Sequence, residues 1–171
     1  WVIWSSTRGN GEFDLFLGDF TNVEATARQL TTDVYKNGPQ TKYPDRHPHF
    51  HPLDSRLAVF TSKNQALESP VQIASECSQP KIIVPPRFYE RMNILTLTPT
   101  GTVATYTELD IRNAWDRAGQ PGIWTTNTDS YVGHPSFSHS GTQILFSASI
   151  DGEGKDWEVY TVGFDTNALA L

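Results

Sequence analysis

Two segments of the chain share one pattern, and this repetition constrains the fold more than any other feature. Residues 47–59 and residues 134–146 align without a gap. Each segment begins with His-Pro-x-Phe, continues through a polar stretch with turn-forming residues, and ends in an alternating apolar run. This order predicts a strand, a tight turn and a second strand, with the chain reversing at Asp54 in one copy and at Gly141 in the other.

A second repeat overlaps the first one. Residues 2–11 resemble residues 144–152, and each of these segments precedes a similar run, residues 13–17 in one case and residues 157–161 in the other. Apolar residues alternate with other residues in both runs, which is the period of a β-strand. Residues 27–31 then form a plausible short outer strand. The chain therefore repeats a unit made of strands and turns.

Composition favours an all-β fold and excludes some functions. Aromatic residues make up 12% of the chain, and 12 Gly and 11 Pro supply turns. The formal net charge of −6, with few and scattered basic residues, argues against a protein that binds nucleic acid. No apolar run approaches the roughly 18–20 residues of a membrane span. The single cysteine, Cys77, excludes an internal disulfide.

Residues 134–161 resemble a repeat of the TolB-like, or WD40-like (PD40), β-propeller family. His139 and Ser140 stand where that repeat usually has Pro and Asp. Residues 48–59 and residues 2–31 keep parts of the same pattern. The positions that match in the clearest copy are Pro135, Phe137, Ser138, Gly141, Phe146, Asp151, Gly152, Trp157 and Tyr160. The resemblance implies a binding propeller in the periplasm or outside the cell, with a protein or glycan as its ligand.

The pattern predicts about three propeller blades of four-stranded antiparallel sheets, partial at both ends. The first blade lacks its innermost strand and the last blade its outer strand. We therefore expect residues 1–171 to form a single β-propeller region of a larger propeller, whose remaining blades come from the same parent protein or another chain. The first residues carry neither a start Met nor a leader peptide, as expected of a chain processed or taken from something longer.

About ten strands are expected in all. The clearest predicted strands are residues 2–6, 13–17, 57–61, 93–98, 103–107, 143–148 and 158–162. An insertion of about residues 65–91 interrupts the middle blade, and residues 110–119 are expected to form a short helix.

Histidines are the main candidates for chemistry. His47 and His134 occupy equivalent repeat positions, which the propeller resemblance places at one mouth of the central channel. His49 alternates with His47, so both side chains can point to one side of the strand. Neutral imidazoles that converge there could bind a divalent metal such as Mn, Zn or Ca. The alternative is that His-Pro only caps the strand and bonds to backbone. His51 and His139 lie on the turns and are expected to face solvent.

The aromatic residues fall into two groups, those that recur in the repeat and those that lie outside it. Aromatics that recur at repeat positions, Trp4, Phe50, Phe137, Phe146 and Trp157 among them, are expected in the core. Trp115, Trp124 and Tyr89 lie off the repeat and are candidates to bind a glycan or peptide.

The leading hypothesis is a binding scaffold, for which the sequence indicates no definite cofactor. The alternative is a polysaccharide-degrading enzyme, a lyase or hydrolase similar to oligogalacturonate lyases, which also place histidines and a metal in such a channel. Tyr131 and His134 would then be its catalytic residues.

Overall fold

A computed structural model describes residues 1–8, 13–31, 45–64, 89–109, 111, 131–149 and 157–171. Ten strands and one short helix lie within these residues. In chain order they are β1 (Val2–Ser6), β2 (Asp14–Gly18), α1 (Val23–Thr26), β3 (Arg28–Gln29), β4 (Asp45–Phe50), β5 (Leu57–Asn64), β6 (Tyr89–Leu97), β7 (Val103–Glu108), β8 (Tyr131–Phe137), β9 (Gln143–Ser149) and β10 (Trp157–Gly163).

The strands form three antiparallel sheets that follow one another along the chain. The first sheet has the order β1-β2-β3, the second β4-β5-β6-β7 and the third β8-β9-β10. All pairings between neighbouring strands are antiparallel. The prediction of an all-β chain built from partial propeller blades is confirmed. The sheets are called the first, middle and last blades below.

Two apolar cores hold the three blades together. The first core joins the first blade to the middle blade and consists of Leu15, Leu17, Leu30, Ala58, Phe60, Leu95 and Leu97. The second core joins the middle blade to the last and consists of Val59, Met92, Ile94, Leu109, Ile111, Val132, Phe137, Ile144, Phe146, Ala148 and Phe164. The middle blade is thus buried on both faces, because alternate residues of β5 and β6 belong to different cores.

The registers of β4–β5 and β8–β9 correct the ungapped repeat alignment. Phe50 lies opposite Ala58 in the middle blade, and Phe137 lies opposite Ile144 in the last blade. The middle turn is therefore one residue longer, so the counterpart of Phe146 is Phe60 and not Val59, as the ungapped alignment would have it.

Burial confirms part of the predicted core. Phe137 and Phe146 are buried, as expected. Trp4 and Phe50 are only half-buried, and the side chain of Trp157 is 46% exposed. The prediction was wrong for Trp157 because β10 turns that residue toward the face of the last blade that points away from the middle blade.

Two predicted segments fall mostly outside the described residues. The insertion predicted at about residues 65–91 is described only at its end, where β6 already begins at Tyr89. Only Ile111 of the helix predicted at residues 110–119 is described. Within the described parts of the chain, no helix is long and apolar enough to cross a membrane.

Candidate functional site

His47 and His134 adopt the same uncommon backbone conformation on the inner strands β4 and β8. Their φ angles are 53° and 51°, in the left-handed region that few residues other than glycine enter. Both positions fall within register shifts, between Arg46 and His49 on β4 and between Gly133 and Ser136 on β8. Conformations of this kind cost about 1–3 kcal/mol and persist only where the surrounding structure enforces them. The fold therefore enforces the same local strain twice.

A hydroxyl group on the neighbouring strand holds His47 in place. The Nδ1 atom of His47 lies 3.2 Å from Oγ1 of Thr61 on β5. The same hydroxyl donates a hydrogen bond of 3.2 Å to the main-chain carbonyl oxygen of Arg46. Thr61 thus bridges the imidazole and the backbone just before it.

The last blade repeats this bridge with a different hydroxyl residue. Nδ1 of His134 lies 3.3 Å from Oγ of Ser147 on β9. Ser147 donates a hydrogen bond of 3.0 Å to the carbonyl oxygen of Gly133, the residue before the histidine. Thr61 and Ser147 are therefore equivalent in structure as well as in the repeat.

The hydroxyl bridges assign the proton to one ring nitrogen of each histidine. A hydroxyl has one hydrogen, and assigning it to the nearby carbonyl oxygen in both blades leaves the hydroxyl as an acceptor toward the imidazole. With this assignment, Nδ1 of His47 and of His134 is the donor. In its neutral form each ring keeps an unprotonated Nε2 with a free lone pair.

The two rings lie side by side between the blades. Their centroids are 4.0 Å apart with an angle of 36° between the ring planes. His47 is half-buried and His134 is exposed. Burial, and secondarily the positive charges of His134 and Arg46, lowers the pKa of His47 below its ordinary value of 6.5. His47 is consequently neutral at pH 7 and able to act as a Lewis base.

His49 faces the last blade, as His47 does, and there it contacts Phe137, with 6.5 Å between the ring centroids. Nδ1 of His49 accepts a 3.4 Å hydrogen bond from the backbone N–H of Phe137. Among the described residues, no group of three or more histidine, cysteine or acidic side chains lies close enough to hold a metal ion.

His51 is buried, which corrects the prediction that it faces solvent. Its side chain is only 5% exposed. Nδ1 accepts hydrogen bonds from the backbone N–H groups of Leu53 and Asp54, at 3.2 and 3.1 Å. Nε2 then donates to the carbonyl oxygen of Gly141 in the last blade, at 3.2 Å. His51 is therefore part of the contact between two blades.

A signal in the sequence could have identified the role of His51. Ser138 occupies the same repeat position in the last blade, and its Oγ accepts a 3.2 Å hydrogen bond from the backbone N–H of Gln143. In both blades, the side chain at this repeat position therefore accepts hydrogen bonds from backbone N–H groups of the turn or the strand after it. His139, in contrast, is exposed as expected.

The remaining candidate residues stay predictions. Tyr131 and Tyr89 lie on β8 and β6, but their side chains are outside the described set. Trp115 and Trp124 lie outside the described residues altogether.

Comparison with known proteins finds distant likeness among solved structures. No protein-family model matches the chain, and no curated protein matches it. Among solved structures, TolB from Acinetobacter baumannii aligns with 96% of this chain at 11% sequence identity and a TM-score of 0.45. This chain covers 27% of that protein's chain.

Proposed function

We propose that this chain is part of a ligand-binding β-propeller and that its ligand engages the channel mouth through His47 and His134. One observation carries the proposal: two equivalent imidazoles, 4.0 Å apart between ring centroids, are each held at Nδ1 by a hydroxyl bridge. Each ring then offers Nε2 as a lone pair. Strained backbone at both positions is typical of sites where geometry serves function.

The chemistry of the two nitrogens favours a zinc ion as the ligand at this mouth. Imidazole nitrogen suits zinc, whereas Ca and Mn prefer oxygen ligands. Zinc takes four ligands in most sites, and sites that bind further molecules leave positions open. His47 and His134 would supply two positions, and water or groups of a bound protein or glycan would fill the others. Thr61 and Ser147 would orient the imidazole rings of His47 and His134 toward the zinc ion.

A protein or glycan that binds on the loop face remains part of the proposal, with Trp115, Trp124 and Tyr89 as contact candidates. A periplasmic or extracellular location follows only from the resemblance to TolB-like repeats. The polysaccharide-degrading alternative depends on Tyr131, whose side chain is not described, so no observation among the described residues favours it.

A zinc titration monitored by calorimetry tests the proposal. We expect one zinc ion per chain, and at least tenfold weaker binding, equal to about 1.4 kcal/mol, for His47→Ala and for His134→Ala. His139→Ala is the matched control, because His139 is an exposed histidine outside the pair. Affinities of His47→Ala and His134→Ala equal to that of the wild type would refute the site.

The hydroxyl bridge can be tested separately. Thr61→Val removes the acceptor for Nδ1 of His47 and keeps the side-chain shape, so zinc affinity should fall about 10–100-fold. Thr61→Ser keeps the hydroxyl and should bind nearly as well as the wild type. Equal affinities for the two variants would show that the bridge does not orient the imidazole.

A further inference from the structure

The first blade carries a hydroxyl at the position of Thr61 and Ser147. That residue is Ser5 on β1, which the repeat aligns with Ser147 on β9. The registers agree, because Ser5 lies opposite Leu15 and Thr61 opposite Met92 on the next strand of each blade. Leu15 and Met92 both face the blade that follows their own. All three blades therefore have a hydroxyl side chain at this position of the repeat.

Ser5 differs from the other two hydroxyls in its bonding. Thr61 and Ser147 each bond to a histidine ring and to a backbone carbonyl oxygen. The Oγ atom of Ser5 is buried, and it has no hydrogen-bond partner in the structure described. A buried hydroxyl without a partner is unfavourable, and most buried polar atoms in folded proteins are bonded.

Among the strands that the structure describes, none lies at the edge of the first sheet where it could supply this partner. In the middle and last blades, β5 and β9 each have an inner strand, β4 or β8, on one side. Within the described ranges, the corresponding strand β1 is the edge of its own sheet and pairs with β2 alone. An edge strand presents unpaired N–H and C=O groups that can bind a further strand.

We propose that β1 binds an extended segment of other polypeptide as an antiparallel inner strand, with a His-Pro pair at the level of Ser5. The histidine Nδ1 donates a hydrogen bond to Ser5 Oγ, and the Ser5 hydroxyl donates to the carbonyl oxygen before that histidine. Addition of a strand to a sheet edge is a general mode of peptide recognition, in which backbone bonds give affinity and side-chain positions give specificity.

The two inner strands of this chain define the partner's chemistry. Both have histidine followed by proline at the position that meets the hydroxyl, namely Pro48 after His47 and Pro135 after His134. Both have a bulge there. Proline suits a bulge because it has no N–H to donate to the ladder. The partner strand is therefore expected to repeat His-Pro, and it would bring a third imidazole toward His47.

A synthetic peptide with the sequence of residues 129–138, which includes β8, serves as the probe. It is titrated onto the whole chain in EDTA, so that strand binding is measured without metal and independently of the zinc site. We expect saturable one-to-one binding, weakened at least tenfold by Ser5→Ala. Replacing the peptide histidine with alanine should cause a similar loss, and combining both changes should add little further.

Two further variants complete the test. Ser5→Thr keeps the hydroxyl, as Thr61 does, and should retain binding. Ser6→Ala alters the neighbouring residue, whose Oγ accepts from Arg8 N–H, and should leave peptide affinity unchanged.

Hydrogen exchange should show new protection of the β1 amides and unchanged protection of the β9 amides. This result would distinguish a peptide bound at the edge of β1 from a peptide that displaces β8 from β9. Absence of saturable binding, equal affinity for Ser5→Ala and wild type, or loss of protection in β9 would each overturn the proposal.

Discussion

His51 uses both of its ring nitrogens to connect the turn of the middle blade to the turn of the last blade. Its ring also packs edge-on against Phe137, with 4.8 Å between centroids. His51→Ala leaves the carbonyl oxygen of Gly141 and two backbone N–H groups without this partner. We expect the free energy of unfolding to fall by about 1–3 kcal/mol, measured by urea denaturation.

The control for this variant is His139→Ala. His139 is an exposed turn residue, so its replacement should change the free energy of unfolding by less than about 0.5 kcal/mol. Equal effects of the two substitutions would contradict the blade-connecting role of His51.

His47 makes stability depend on pH in a defined direction. Burial lowers its pKa below 6.5 in the folded chain, so the folded state binds fewer protons than the unfolded state at mildly acidic pH. Its contribution is fully present above the unfolded pKa and is lost as pH falls below about 6.5 through the folded pKa. The melting temperature of the wild type should therefore fall more steeply than that of His47→Gln between pH 8 and pH 5. Parallel curves would contradict this.

At the scale of single elements, the turn between β8 and β9 depends on a glycine. Gly141 has a φ of 75°, and a Cβ atom built there would overlap the His51 ring. Gly141→Ala should lower the free energy of unfolding by more than about 1 kcal/mol. Gly163, at the end of β10, has open space around its Cβ position, so Gly163→Ala should have little effect. Urea denaturation of both variants checks this, and a mild Gly141→Ala would argue against the turn geometry.

Strands were predictable because their signal is local. Alternation and turn residues placed β1 at residues 2–6 and β9 at residues 143–148, within one residue of the observed bounds. Turn length was not predictable, because Leu57, Ala58, Val59 and Phe60 are all buried. A strand buried on both faces has no polar residues to mark its register.

The candidate site, like the fold, was predictable from the sequence only in part. The repeat identified His47 and His134 as equivalent, which the structure supports through matching φ angles and matching hydroxyl partners. Alternation predicted that His47 and His49 share one side of β4, and both side chains contact the last blade. The burial of His51 depends on a contact with another blade, which the local sequence does not contain.

At the scale of the whole molecule, the last blade has an exposed apolar face. Val59 and Met92 of the middle blade are fully buried against the last blade. Their counterparts in the last blade, Leu145 and Val159, are 38% and 74% exposed. Apolar patches of this kind usually mark interfaces. We therefore expect further polypeptide, from the parent protein or another chain, to cover this face.

Sedimentation velocity tests that expectation. In the absence of a partner, the chain should associate with itself as concentration rises, and Val159→Lys should shift it toward the monomer. Leu53→Lys is the control, since Leu53 is 75% exposed on the turn of the middle blade. Equal sedimentation of the wild type and Val159→Lys would show that this face does not mediate association.

Nitrogen-15 NMR of the imidazoles tests most directly whether His47 and His134 form a pair with Nδ1 protonated and Nε2 unprotonated. At pH 8 both rings should show protonated Nδ1, with an NOE between them, as the 4.0 Å separation of ring centroids requires. His51 should show the opposite tautomer, with protonated Nε2. Protonated Nε2 in His47 and His134, or the absence of an NOE between their rings, would contradict the pair.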